Sequence, residues 1–180
     1  MRRSKLFLSL FFVGIVLSLF ISISFFEKTS IKVSNDIPSL YTADELQSLQ
    51  KARVLEVVDG DTIQVDLNGK KENVRYLGID TPEIEHSLTG RTQQFGQNAR
   101  ELNKQLVESK EVFLLADIQD KDDYDRLLRY VFLDNGKMVN LIILRSGYAK
   151  VLFIKPNVRF SSILKDTESA AIQEKLGIWK

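Results

Sequence analysis

From Thr62 to Leu67 apolar and polar positions alternate, with Ile63, Val65 and Leu67 on one side and Thr62, Gln64 and Asp66 on the other. A period of two sends successive side chains to opposite faces, so this run is a half-buried β-strand. A β-rich run at 54–58 precedes it. Asn68-Gly69 follows, a pair that tolerates the positive φ of a tight hairpin turn, and the chain returns as a strand over 73–79. The period then changes. Phe95, Ala99, Leu102 and Leu106 form one apolar stripe at helical spacing and predict a helix over 92–109. Strands are expected at 111–116 and 126–133, with an acidic loop between them. Asp134-Asn135-Gly136 turns into a helix carrying Met138, Leu141 and Ile142, which Ser146-Gly147 ends. Residues 148–154 read as a last strand, broken by Pro156-Asn157. Phe160, Ile163, Leu164, Thr167 and Ala171 mark a closing helix. The pattern is α+β: three helices and enough short strands for a five-stranded barrel, small and closed or partly open.

The amino-terminal part does not share this pattern. Arg2, Arg3 and Lys5 precede twenty-one residues, 6–26, without a charge, long enough to span a bilayer at about 1.5 Å per residue. A positive flank stays cytoplasmic, so an uncleaved anchor would place the remainder at the cell membrane with an extracytoplasmic domain. Ser22-Ile23-Ser24 offers small residues for a signal cut, and cleavage of residues 1–24 would make the chain secreted. Residues 27–50 are polar and aperiodic, with a turn at Asn35-Asp36-Ile37-Pro38 and a short helix start at Thr42 to Leu46. They are expected to form a linker ahead of a domain at 51–180.

Composition narrows the chemistry. At 180 residues and 44% hydrophobic, the chain can bury one good-sized core. It has no cysteine and one histidine, His86, which excludes disulfides, thiolate sites and a histidine-rich zinc centre. Oxygen ligands remain, and these suit hard cations such as Ca²⁺. Residues 1–26 hold three basic groups and no acid, so the formal net charge of +1 becomes −2 for residues 27–180. The broad positive field that drives nonspecific duplex binding is therefore not evident, and nucleic acid would have to be held by local features.

The local features are two acidic elbows. Asp59-Gly60-Asp61-Thr62 and Asp80-Thr81-Pro82-Glu83 each close a β-patterned run, and one hairpin joins them, so Asp61 and Asp80 can meet when its strands pair. Arg75 adds a fixed cation beside those carboxylates, an arrangement suited to a phosphate held between a metal ion and a guanidinium. Glu83 is the natural carboxylate to position a water for in-line attack.

Val57 to Thr62, Val74 to Glu83 and Asp123-Tyr124-Asp125-Arg126-Leu127-Leu128 resemble the thermonuclease, or staphylococcal nuclease-like, family in order and spacing. Phe95-Gly96-Gln97, Gly136 to Asn140 and Leu176-Gly177-Ile178-Trp179 extend the resemblance. It implies a five-stranded OB-fold β-barrel and a Ca²⁺-dependent endonuclease that cleaves DNA and RNA to leave 3′-phosphate ends. It further implies Asp61, Asp80 and the Thr81 carbonyl as metal ligands, Arg75, Glu83 and Arg126 as catalytic residues, and Tyr124 as a substrate contact. Nothing in the sequence points to an obligate protein partner.

The chain departs from the family pattern in places. Asp125 stands where the motif usually has glycine, residues 151–156 lack base-stacking tyrosines, and a loop lysine expected after His86 is missing. Five aspartates at 117, 120, 122, 123 and 125 lack the glycine and terminal glutamate of an EF-hand, so a solvated loop is expected there. Two other functions remain open. One is a catalytically silent OB-fold module that binds nucleic acid or a protein, against which stands the presence of Asp61, Asp80, Glu83, Arg75 and Arg126 together; the other is a tethered calcium module, against which the two arginines argue.

Overall fold

Thr62–Leu67 is the strand that its alternation predicts, and it runs through an antiparallel hairpin of β1 (Gln50–Asp59), β2 (Thr62–Leu67) and β3 (Lys70–Tyr76). The computed structural model describes residues 37–83 and 90–180. The apolar run at 6–26 and His86 lie outside those residues. Among the described residues, no helix is long and apolar enough to cross a membrane.

The turn chemistry is as expected, with Asn68 at φ 56 and Gly69 at φ 84. β5 (Glu111–Leu115) and β6 (Leu127–Phe132) complete a closed barrel in the order β1-β2-β3-β6-β5. All its pairings are antiparallel except β3 with β6, which is parallel and aligns Arg75 with Leu128. Closure leaves no open sheet edge. Val57, Ile63, Val65, Val74, Tyr76, Val112, Leu128 and Val131 are fully buried in the core.

The expected strand at 73–79 breaks after Tyr76. Gly78 adopts φ 80, and Leu164 fills the space where a side chain would stand, so only glycine fits. The chain resumes as β4 (Gly78–Asp80). The expected last strand at 148–154 shrinks to β7 (Lys150–Leu152) and lies outside the barrel, paired with β4 so that Lys150 faces Asp80. This two-stranded appendage carries the second elbow beyond the barrel wall.

Among the described residues the three main helices are α2 (Gly90–Val107), α3 (Val139–Arg145) and α4 (Ser161–Gln173). On α2 the buried set is Gly96, Ala99, Leu102, Asn103 and Val107, while Phe95 and Leu106 are only half-buried. The stripe is thus rotated toward Asn103, because that amide meets polar partners at the first elbow. On α3 every residue from Val139 to Leu144 is buried. Asn140 among them accepts from the Val131 N–H at 3.0 Å and donates to the Leu77 carbonyl at 2.8 Å, tying barrel to appendage.

The expected linker at 27–50 is corrected for its described part. Residues 37–50 belong to the barrel unit, and α1 (Ala43–Leu46) begins with a Thr42–Glu45 capping box. Ile37 and Leu46 are buried, Ser39 bridges to Lys137, the Leu40 N–H donates to the Gly136 carbonyl, and Tyr41 packs edge-on against Phe132. Polar residues between these anchors hide the pattern from a periodicity test. β1 correspondingly starts four residues earlier than the run at 54–58 suggests.

Replacing Asn140 by Ala strands two buried backbone groups, each costing about 1–3 kcal/mol. Urea unfolding of Asn140→Ala is therefore expected to show a loss of at least about 2 kcal/mol.

Candidate active site

β2 and β3 set the site because Thr62 and Arg75 are cross-strand partners, and the Tyr76 N–H extends the ladder to the Asp61 carbonyl. This pairing delivers the Arg75 guanidinium to both elbows. Arg75 Nη1 lies 2.9 Å from Asp61 Oδ2, and Nη2 donates to Asp80 Oδ1 at 2.8 Å. Nη1 also donates to the carbonyls of Ile79 and Tyr76. The Arg75 and Asp61 side chains are only 8% and 7% exposed, whereas that of Asp80 is half exposed.

Asp61 is fixed from several sides. Its Oδ2 accepts from the Thr81 N–H at 2.8 Å and the Thr81 hydroxyl at 3.0 Å, and its Oδ1 accepts from the Thr62 hydroxyl at 3.2 Å. The second elbow is thereby bonded directly to the first, as the sequence geometry anticipates. Gly60 serves here through space, since a Cβ would meet Ala99 Cβ at 2.6 Å and Thr81 Oγ1 at 2.8 Å. Asp59 accepts from the Gly60 N–H at 2.7 Å and so shapes the turn.

The acids outweigh the cations. Burial pushes the Asp59 carboxyl up to about 6, the Gly60 N–H opposes this, and the charges of Asp61 and Glu83 add to it. Burial also raises Asp80, against the pull of Arg75 and Lys150. Glu83 is exposed at the end of the elbow. A site with this surplus of negative charge and oxygen donors fits a hard cation, with Asp61 and Asp80 as its carboxylates and Thr81 beside them. Among the described residues, no group of three or more His, Cys, Asp or Glu forms a ready cage, so main-chain oxygen and water would complete the shell.

Arg126 stands just before β6, one step ahead of Leu127, which pairs with Val74 of β3. It therefore flanks the strand that carries Arg75. Asp122 holds it in place: Oδ2 accepts from Arg126 Nε and Nη2, both at 2.7 Å, while Oδ1 accepts from the backbone N–H groups of Tyr124 and Arg126, both at 3.0 Å. The Arg126 guanidinium lies 5.3 Å from the Tyr124 ring centroid, and Tyr124 is 81% exposed. Asp125 adopts φ 61, so the turn survives without glycine.

The expectation of a merely solvated loop at 117–125 is corrected. Asp120 holds Arg129, Asp122 holds Arg126, Asp125 holds Lys121, and Asp117 accepts from the Arg159 N–H. Asn157 adds two hydrogen bonds to Gln119. Four of the five aspartates are thus tied into the structure.

Sequence reasoning missed Asn103, Asp122 and Lys150. Asn103 accepts from the Tyr76 hydroxyl at 2.9 Å and donates to the Asp59 carbonyl at 3.1 Å, linking the barrel core to the first elbow. An amide on an apolar helix stripe was its signal. For Asp122, the signal was an acid four residues ahead of an arginine. Nothing in the local sequence pairs Lys150 with Asp80.

A closed five-stranded barrel with an acid-and-arginine site at its strand ends is of the OB type. Residues 73–180 match the family described as staphylococcal nuclease homologue, a span that includes every candidate residue except Asp61. The chain belongs to this family. It is 44% identical over 124 residues to the SPbeta prophage-derived endonuclease YokF and 42% identical over 124 residues to endonuclease YncB, both of Bacillus subtilis strain 168. These alignments cover 68% of this chain but only 41% and 58% of the two relatives. The thermonuclease of Staphylococcus hyicus is 36% identical over 130 residues, covering 72% of this chain and 76% of that protein.

Gly60→Ala forces Ala99 or Thr81 to move, and overpacking of this kind costs about 1–3 kcal/mol, readable by thermal unfolding. Asp122→Asn provides a pH test. Burial raises the Asp122 carboxyl, but hydrogen bonds and charge from Arg126 and the Tyr124 N–H outweigh that and hold it below the ordinary value of 3.8. A depressed acid contributes stability above its unfolded value and loses it as pH falls through the folded one. The parent is expected to exceed the variant by about 1–2 kcal/mol above pH 5 or so, with the gap closing in more acidic solution.

Proposed function

We propose that this chain is a Ca²⁺-dependent endonuclease that hydrolyses phosphodiester bonds in DNA and RNA and leaves 3′-phosphate ends. The observation that carries this reading is the buried Arg75 guanidinium, which joins Asp61 and Asp80, with Glu83 exposed at the end of the same elbow. Membership in the staphylococcal nuclease family and relatives named endonuclease and thermonuclease support it. Metal dependence goes with that family, and Ca²⁺ matches the all-oxygen donor set.

Asp61, Asp80 and the Thr81 carbonyl would hold the ion. A bound divalent cation would neutralise the phosphate and stabilise the charge gathering on its oxygens. Glu83 orients or deprotonates the attacking water, whose oxygen bonds to phosphorus as the bond to the 5′ oxygen breaks and that oxygen leaves as a hydroxyl, its proton drawn from solvent. Arg75 contributes chiefly a fixed positive charge, because its guanidinium is already bonded to protein on several sides. Arg126, more accessible, meets the phosphate directly, and Tyr124 beside it contacts the substrate. The uncharged run at 6–26 supports placement of this activity outside the cytoplasm, tethered or secreted.

Incubation of the purified chain with single-stranded DNA and RNA, in Ca²⁺ or in chelator, tests this reading. Cleavage is expected only with the ion. Glu83→Gln is expected to lower kcat by about 10²–10⁴, the usual contribution of a general base, with Arg126→Ala also strongly impaired. Cleavage that persists in chelator or in both variants overturns the mechanism. No cleavage at all favours the silent module.

A further inference from the structure

Asp125 lies between Tyr124 and Arg126, the two residues read above as meeting substrate, and its backbone is in the left-handed region where glycine is the default. Aspartate tolerates this backbone, as glycine does, so what it adds at this position is its charge. Its side chain, 82% exposed, has a partner: Lys121 Nζ, 2.7 Å away. Lys121 is positioned by the fold, because it bridges to Leu127 at the start of β6 and so stands beside Arg126.

A second lysine faces the same carboxylate. The hydrogen bond and charge of Lys121, and then the charge of Lys70 on the hairpin, hold the Asp125 carboxyl below its ordinary range, while Asp122 opposes them. Lys121 in turn faces Asp125, Glu72 and Asp120, and Lys70 pairs with Glu72. Arg75 lies at the elbow end of β3 and Lys70 at its hairpin end, and Arg126 and the Lys121 that bridges to Leu127 flank the strand between them, since Leu127 pairs with Val74. At about 3.3 Å per residue, Arg75 to the hairpin end spans roughly 16 Å. A nucleic-acid strand leaving the elbows past Tyr124 would therefore come within reach of Lys121, whose ammonium lies beside Asp125.

We propose that Lys121 is a phosphate contact for a single-stranded nucleic acid beyond the scissile bond, and that Asp125, by occupying it, sets how tightly the chain takes this polymer. The proposal rests on the nuclease reading for the direction of the strand. An exposed ion pair is weak, so a backbone phosphate can compete with the carboxylate for the same ammonium. The outcome is graded affinity and not a closed site.

The test compares the full chain with Asp125→Asn, Lys121→Ala and the double variant. Asparagine also tolerates the left-handed backbone, and thermal unfolding checks that each variant folds. Binding of a fluorescein-labelled twelve-thymidine strand is followed by anisotropy in chelator, and cleavage of the same strand is followed with divalent cation. Asp125→Asn is expected to tighten binding and lower KM several-fold with kcat unchanged. Its salt dependence should steepen by about 0.7 in log–log slope, the counterion release of one phosphate contact on a single strand. Adding Lys121→Ala should erase both changes. Unaltered affinity in Asp125→Asn, or a gain that survives in the double variant, overturns the proposal. Absence of cleavage by the parent would overturn the nuclease reading instead, and binding in chelator would still decide the role of Lys121.

Discussion

A carboxylate and a guanidinium, both almost wholly hidden from water, join the parts of this protein that matter for chemistry. Asp61 ends the turn between β1 and β2, Arg75 sits near the end of β3, and their contact at 2.9 Å draws in Asp80 and Thr81 from the outlying β4. Removing charges from water is costly, and a buried pair repays that only when its remaining donors and acceptors are bonded. Here they are. Arg75 also reaches two carbonyls, and Asp61 receives three further hydrogen bonds from Thr62 and Thr81. The pair fixes where the acids stand more than it stabilises the fold.

Fixing them leaves an electrostatic imbalance at the elbows. Asp59 and Asp80 are both pushed toward protonation by burial, and Arg75, with Lys150 and Arg100 farther out, does not offset the four carboxylates. The Arg126 loop has the opposite character, because each of Arg126, Arg129 and Lys121 is matched with an aspartate. A site acidic at its centre and neutralised at its flank gains little from long-range attraction of a polyanion. Short-range contact must do the work, in keeping with a net charge of −2 over residues 27–180.

Much of this could be read before any coordinates, for identifiable reasons. The elbows were legible because strand alternation, the Asn68-Gly69 turn and the carboxylates all lie within one local stretch. Asp61, Arg75, Asp80 and Thr81 accordingly meet as expected. What escaped was non-local or masked. The strand at 148–154 left the barrel because Gly78 breaks β3 and frees β4 as a separate partner, a pairing between segments far apart in sequence. Asn103 was hidden inside an apolar stripe, and the arm at 37–50 was hidden by its own polarity. The aspartate-rich loop looked solvated because two of its three cations, Arg126 and Arg129, follow it in the chain.

The arm also has a mechanical consequence. Its anchors are Ser39 against Lys137, Leu40 on the Gly136 carbonyl and Tyr41 against Phe132, with Gly136 in such close approach that any side chain there would collide with the Tyr41 carbonyl. A pull on the chain ahead of residue 37 is therefore received first by the turn after β6 and by the ring of Phe132. β1 and the elbow it leads into lie downstream of that clamp. Displacing residue 37 would thus peel the arm's own contacts before it disturbed the geometry of Asp61.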